Sequence, residues 1–468
     1  MRLVGRFPDA YPGLLESGTS AWGAAGANRF DILPIAVGES LELGADGRLS
    51  GPHAGAGGFL DALERWFRAL RTPADASPLP FTGGWLLFLG YELAAEIEPS
   101  LALPRSPDSI SGVAIRTPAG WIRDRATGQS WVVAEAGHEG LLDAFEDHVR
   151  AVAGPPGTDQ RTAADGSALE LTGGGVTVLE DDPELFLTAV TRALEYIAAG
   201  DVYQVNLSRQ WQVRCERPID PVALYARLRS TNPSPFAAMM RHRGFSVMSS
   251  SPERLLSIRG GIVSTRPIAG TRPRGASAVA DEALIESLLS DEKERAEHVM
   301  LIDLERNDIG RVCVGGTVRV DEYMALETYA HVHHIVSNVS GRLRDDLSPI
   351  QAIRALFPGG TITGCPKVRC MEIIAELEGA GRGAYTGSLG YLNRDGSGDL
   401  NILIRTLTAQ TEPAAPAPAA RAGEAQPPSA KIRFRAGAGI VADSRPSQEL
   451  AETRAKALGL LRALEPRA

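Results

Sequence analysis

Four glutamates, in two pairs far apart in the sequence, have the residue type and spacing to hold a hard divalent cation. Glu294 and Glu297 lie in DEKERAEHVM, and Glu449 and Glu452 lie in SQELAETRAKAL. An i, i+3 separation puts both members of a pair on one helix face. Lys456 follows Glu452 by four residues and shares that face. Two such faces brought together would offer carboxylate oxygens suited to Mg2+, with water and a substrate carboxylate completing the shell. Either pair alone describes a solvated charged face equally well.

A second group is the glycine-rich run FPGGTITGCPK, residues 357–367. A nucleotide phosphate loop requires GxxxxGK[ST], and here Cys365 follows Gly364, so that reading fails. Its glycines still let backbone N–H groups approach an anion, and the Thr361 and Thr363 hydroxyls can add bonds. A structural turn ahead of a helix starting near Lys367 is the other reading. The third group is His331-Val332-His333-His334. In a strand His331 and His333 share one face and His334 takes the other. The cysteines offer no further zinc ligands at suitable spacing, which leaves one histidine as a general acid or base, or structural histidines. The fourth is a set of single polar residues: Glu253 in SSSPERLL, Tyr385 in GAYTGSLGY, Arg405 in NILIRTL, and a turn at AGAG, residues 436–439. A guanidinium in an apolar strand is costly unless it meets an anion, so Arg405 invites a carboxylate from a ligand or from a buried ion pair.

These groups need elements to position them. Residues 183–199 read as an amphipathic helix closed by Gly200, 284–304 as one long helix, and 448–464 as a final amphipathic helix. Strand patterns fall at 245–251, 255–264, 317–321 and 333–339. Strand-like runs at 400–409 and 431–441 flank a Pro/Ala-rich insertion at 411–430, which suggests a hairpin with a long loop. Residues 151–180 read as linker-like between an N-terminal portion, 1–150, and a catalytic portion, 181–465. Helices mixed with hairpin-like strands indicate α+β rather than a doubly wound parallel sheet. No GxGxxG follows a strand, so a dinucleotide site has no support.

Composition narrows the classes. The chain has 468 residues, 44% hydrophobic and 22% charged, which suits a globular protein with a large core. A net charge of -9 argues against a nucleic-acid partner but leaves a small anionic metabolite open, given a metal and a few basic groups. Four cysteines without a CxxC pair fit reduced thiols in a cytoplasmic protein. The N-terminus has no apolar h-region, and the longest apolar stretch, near residues 84–89, is too short to span a membrane.

Taken together, PIAGTRPRG (267–275), ERAEHVMLIDLERNDIGRV (294–312), FPGGTITGCPKVRCMEII (357–374), GAYTGSLGY (383–391) and AGAGIVADS (436–444) resemble the chorismate-utilising enzyme family. The likeness covers residues 185–460 strongly and extends more weakly through LLES (14–17) and GGWLLFLGYELA (83–94). It implies two antiparallel sheets packed face to face, flanked by helices, with the active site in a cleft. By the same likeness Glu297 and Glu452 would bind Mg2+, backed by Glu294 and Glu449, with Lys456 near the ring carboxylate. Tyr385, Arg405 and the Gly439 backbone would hold the enolpyruvyl carboxylate, and Gly364 is a further candidate substrate contact. Glu253, Thr271, His334 and Thr361 would surround the ring carbons and the C4 hydroxyl. Ammonia would come from a separate glutaminase subunit, since the chain has no GxCxG elbow of its own.

Two products remain in competition. Ala269 replaces the lysine of the PIKGT motif common in aminodeoxychorismate synthases, as in anthranilate synthases. Against it, Tyr203-Gln204-Val205-Asn206, Val332-His333-His334, Pro358-Gly359-Gly360 and Ile362-Thr363-Gly364 resemble the aminodeoxychorismate branch. Four signatures to one favour 4-amino-4-deoxychorismate over anthranilate. LLES and NPSPF (232–236) resemble tryptophan-binding elements and are consistent with a bound tryptophan, structural or inhibitory. A non-catalytic ligand sensor is a third reading, opposed by retention of all four glutamates, His334 and Arg405.

Overall fold

The structure, a computed structural model, describes residues 1–17, 29–74, 77–153, 176–215, 219–328, 332–411 and 430–465. Its frame is two antiparallel sheets of eleven strands each. The first runs Gly364–Cys365, Gln204–Cys215, Ala430–Ile440, Thr406–Thr411, Phe245–Ser251, Phe236–His242, Gly13–Glu16, Phe30–Ile35, Ala119–Asp124 and Ser130–Ala134, with Val176–Glu180 pairing the far end of Gln204–Cys215. The second runs Ile268–Pro273, Val332–Arg342, Ile262–Arg266, Arg254–Arg259, Gly398–Asn401, Ser388–Asn393, Gly84–Leu89, Ile110–Thr117, Ser40–Gly44 and Leu49–Ser50, with Arg319–Thr328 beside Val332–Arg342. The first 150 residues therefore supply one end of each sheet. Residues 151–153 end the helix Gly140–Ala153 and 176–180 form a strand, while 154–175 lie outside the described residues, as do His331 and 412–429.

The apolar run GWLLFL shows how the layers are built. Leu86 and Phe88 point to the first sheet and join Met240, Phe245 and Val247 in one buried cluster, with the Phe88 and Phe245 rings 5.5 Å apart. Trp85, Leu87 and Leu89 point the other way, onto Leu63, Trp66 and Phe67 of the helix Phe59–Leu70. Successive strand side chains alternate faces, so a strand covered on both sides must be apolar throughout. On the outer face of the first sheet, the helices Pro221–Thr231 and Pro446–Leu464 bury Tyr225, Leu228, Ala457 and Leu460 against Trp211 and Phe434.

Several expected elements change. The helix expected over 284–304 is two, Ala278–Ser290 and Glu292–Gly310. Asp291 is extended, and its carboxylate accepts the N–H groups of Lys293 and Glu294, each at 3.1 Å, so it caps a new helix. Residues 255–264 are a hairpin rather than one strand, because Gly260 and Gly261 both take positive φ, +57° and +73°, as a type I′ turn requires. Residues 436–439 are no turn: they lie inside the strand Ala430–Ile440. The run 400–409 is broken, since Gly398–Asn401 belongs to the second sheet and Thr406–Thr411 to the first. That last strand does pair antiparallel with Ala430–Ile440. Among the described residues no helix is long and apolar enough to cross a membrane.

Candidate active site

The chain passes between the two sheets twice at the same place. One crossing joins Phe245–Ser251 to Arg254–Arg259, and the other joins Gly398–Asn401 to Thr406–Thr411. Backbone bonds stitch them together: Ile402 N–H donates to the Glu253 carbonyl at 3.0 Å, and Ser250 N–H to the Arg405 carbonyl at 3.1 Å. Glu253 stands at the first crossing and Arg405 at the second. Arg405 holds φ +51°, a left-handed conformation that costs about 1–3 kcal/mol in a non-glycine residue and recurs at functional sites. Burial pushes its pKa down, with the nearby Glu253 carboxylate opposing.

Glu253 is 6% exposed. Burial raises its carboxyl to about 7, against the opposing influence of the Thr361 hydroxyl, Lys456 and Arg405. Glu253 Oε1 and Thr361 Oγ1 are both buried without a hydrogen-bond partner among the described residues. His334, almost fully buried, shares a 2.9 Å hydrogen bond with the hydroxyl of Thr271, which is itself exposed. Burial first, then the Arg405 charge, lowers His334 to about 4, so its imidazole is neutral at physiological pH. His333 faces away, hydrogen-bonded to Asp281 and Thr328 at 2.9 Å each. A structural role accounts for His333.

The two acidic pairs lie within electrostatic reach of one another. Burial raises Glu297, Lys293 opposes, and the charges of Glu294 and Glu452 raise it further. Glu449 is raised by burial and by Glu452, and lowered by Ser444, Lys293 and Lys456. Lys293 thus acts on carboxylates of both helices. Cations satisfy the glutamates in part: Lys456 Nζ lies 2.7 Å from Glu452, Lys293 Nζ 3.6 Å from Glu297, and Arg272 3.0 Å from Glu294. Among the described residues, no three metal-ligating side chains gather tightly enough to form a complete cage. The donor set still suits Mg2+, which keeps several waters and takes one or two protein carboxylates plus substrate oxygens.

The third wall is the strand Ala430–Ile440, in register with Gln204–Cys215 so that Gly439 opposes Asn206 and Gly437 opposes Ser208. A methyl group on Gly437 would sit 2.6 Å from the Tyr385 hydroxyl, and one on Gly439 2.5 Å from the Gln204 amide nitrogen. Only glycine lets these side chains come so close. Lys456 Nζ also donates to the Gly437 carbonyl at 2.9 Å, linking the acidic helix to this wall. Gly364 holds φ +126° and abuts the Gln204 carbonyl, so the glycine-rich loop pairs directly with the strand.

Residues 33–462 match the family described as chorismate binding enzyme. The chain belongs to that family. It is 42% identical over 393 residues to an anthranilate synthase component I-like protein of Synechocystis sp., covering 83% of this chain and 74% of the relative. It is 40% identical over 418 residues to aminodeoxychorismate synthase component 1 of Bacillus subtilis, covering 87% and 82%. The crystal structure of anthranilate synthase component I from Streptococcus pneumoniae TIGR4 superposes with a TM-score of 0.77 at 30% identity, over 94% of each chain. The chain is a chorismate-utilising enzyme with the expected α+β fold of two antiparallel sheets and flanking helices.

More buried polar residues gather around Glu253, Tyr385 and Gly437 than motif reading singled out as site residues. Gln204 Oε1 and Asn206 Oδ1 are buried without partners among the described residues, beside Gly439 and Gly437. Their signal was present: Gln204, Asn206 and Ser208 alternate with Val205 and Leu207, which puts the three polar residues on one strand face. Arg382 is buried and ties three parts together. It pairs with Glu378 at 2.6 Å and donates to the carbonyls of Asn206 at 2.7 Å and Ile362 at 3.2 Å. Glu305 lies buried under Gly360, and burial with Asp308 beside it pushes its carboxyl well up. No sequence spacing connects Glu305 to Gly360; only packing does.

Proposed function

We propose that this chain aminates chorismate to 4-amino-4-deoxychorismate, with Mg2+ and with ammonia from a separate glutaminase subunit, in the cytoplasm. The observation that carries this reading is the opposition of a buried carboxyl raised to about 7, Glu253, and a buried guanidinium, Arg405, at adjacent sheet crossings. A dicarboxylate with a poor leaving group needs one cationic anchor, a metal-side anchor and a proton donor. Arg405 and Tyr385 hold the enolpyruvyl carboxylate, with Gly439 supplying backbone and Gly364 shaping the loop edge. Glu297 and Glu452, backed by Glu294 and Glu449, hold the metal, and Lys456 stands beside the ring carboxylate. When bound, Mg2+ neutralises that carboxylate and stabilises charge build-up in the ring. Glu253 gives its proton to the C4 hydroxyl, which leaves as water, while ammonia bonds to the ring and the proton it sheds returns to the carboxylate. Neutral His334, oriented by Thr271, and Thr361 line the ring. With Ala269 no lysine adduct forms from that position, and ammonia or water serves at C2 instead.

Gln204, Asn206 and the 358–364 loop, whose sequence resembles the aminodeoxychorismate branch, line this cleft and support that product. Ala269 favours anthranilate instead, and relatives of both names align at similar identity. Purified protein given chorismate, Mg2+ and ammonium is expected to yield 4-aminobenzoate only after aminodeoxychorismate lyase is added. Anthranilate fluorescence without the lyase would overturn the product assignment.

A cavity of about 770 Å³ lies apart, between the sheets, lined by Leu15, Glu16 and Ser17 of LLES and by Pro235 and Phe236 of NPSPF. Its size and apolar-polar lining suit the tryptophan that these motifs suggest. L-Tryptophan at 100 times its dissociation constant should then add about 2.7 kcal/mol of stability. An unchanged melting midpoint at millimolar tryptophan would remove it.

A further inference from the structure

Two carboxylates from the first 110 residues stand behind the turn that carries Tyr385. Glu92 Oε1 accepts the backbone N–H groups of Arg382 at 2.7 Å and Gly383 at 3.0 Å. Asp108, 4% exposed, accepts the N–H of Ala384 at 2.8 Å through one oxygen and the Thr408 hydroxyl at 3.2 Å through the other. Tyr91 N–H donates to the Gly383 carbonyl at 2.8 Å. Three successive N–H groups thus point at two buried carboxyl groups, a backbone nest filled by the chain's own side chains. Gly383 abuts the Asp108 carboxylate so closely that any side chain there would collide with it.

The turn needs such restraint. Thr386 holds φ +62°, a strained conformation for a threonine, and strain of this kind persists only where the surroundings over-determine it. On the cleft side the Arg382 guanidinium clamps Asn206, Ile362 and Glu378. Glu92 and Asp108 clamp the same turn from behind, so the Tyr385 hydroxyl beside Gly437 is set from both sides. We infer that Glu92 and Asp108 are positioning residues for chorismate: they act through the 382–386 turn to fix Tyr385 where the substrate carboxylate binds. The inference rests on the substrate reading above and adds residues that touch no substrate themselves.

Two measurements test it together, with Glu92→Ala, Glu92→Gln and Asp108→Ala, each in the Tyr385 and the Tyr385→Phe background. Calorimetry with chorismate and Mg2+ should show about tenfold weaker binding in Glu92→Ala, the effect of losing the two backbone hydrogen bonds that Glu92 accepts. Gln keeps an acceptor oxygen and should recover most of that loss. In the Tyr385→Phe background the Glu92→Ala effect should shrink below about twofold, because the two act as a unit. Hydrogen exchange should show faster exchange of the 382–384 amides. Additive effects, or unchanged exchange at those amides in Glu92→Ala, would overturn the inference. Should Glu92→Ala not fold, Asp108→Ala must give the same pattern or the inference fails. A wild-type chain that binds no chorismate defeats the substrate reading, while exchange at 382–384 still decides whether the carboxylates hold the turn.

Discussion

Glu253→Gln should lower chorismate turnover with ammonium by about 10²- to 10⁴-fold, the usual contribution of a positioned general acid. The glutamine keeps the shape and the neutral charge that Glu253 has below about 7, so substrate binding should change far less than kcat. A loss confined to kcat is the signature of a group that acts in the transition state. On the proposed proton-donor role the protonated carboxyl is the active form, so kcat, measured at constant free ammonia, should fall as pH rises through about 7. Stability gives a second, independent readout. Burial raises the folded-state value above its ordinary 4.5, so between 4.5 and about 7 the native chain holds a proton that the unfolded chain has released. The contribution is fully present below that window and is lost as pH rises through it. Glutamine cannot ionise, so urea midpoints of the variant should vary less between pH 5 and 8 than those of the wild type. Turnover within tenfold of wild type would take the proton-donor role from Glu253.

Glu452→Gln should reduce turnover below about 1% of wild type without unfolding the chain. The expectation follows from where the side chain stands. It is 46% exposed, paired with Lys456 at the cleft mouth, so its loss leaves no buried group stranded. Surface substitutions of this kind shift stability by about 0.5 kcal/mol at most. Its charge nevertheless reaches Glu297 and Glu449, raising both. Carboxylates that repel across two helices, only partly satisfied by Lys456 and Lys293, are groups that a divalent ion would relieve. Replacing one by an amide removes a hard ligand and should weaken Mg2+ binding at least tenfold by calorimetry, a readout independent of turnover. Chelation of Mg2+ should abolish wild-type activity and leave the far-UV circular dichroism spectrum unchanged. Full activity in Glu452→Gln, or unaltered Mg2+ affinity, would remove the metal assignment.

Both variants probe residues that the sequence had marked by type and spacing, yet the partners that define their chemistry come from elsewhere. Local rules found the helices expected at 183–199 and 448–464, which span 183–198 and 446–464, the antiparallel pairing across the Pro/Ala-rich insertion though not the break within 400–409, and the likeness to the family. Caps, face alternation and motif order are written in neighbouring residues, so they can be read there. The same rules misplaced Asp291, taken as helix interior when its carboxylate caps a new helix, and 436–439, taken as a turn when they are strand glycines. Asp291 was a local cap signal passed over within an otherwise helical run, whereas a long-range partner decided the glycines, which pair with Gln204–Cys215.

The sequence by itself determined which residues have the side-chain chemistry and helical spacing suited to a dicarboxylate and a hard cation, because both are local properties. Tertiary structure alone decided that Glu253 and Arg405 meet where the chain changes sheets, and that Glu92 and Asp108 close on a turn nearly 300 residues away. The physical reason is that a raised carboxyl and a held turn depend on desolvation and on donors contributed by distant strands. Those are set by which sheet each strand joins, and no local propensity encodes that choice.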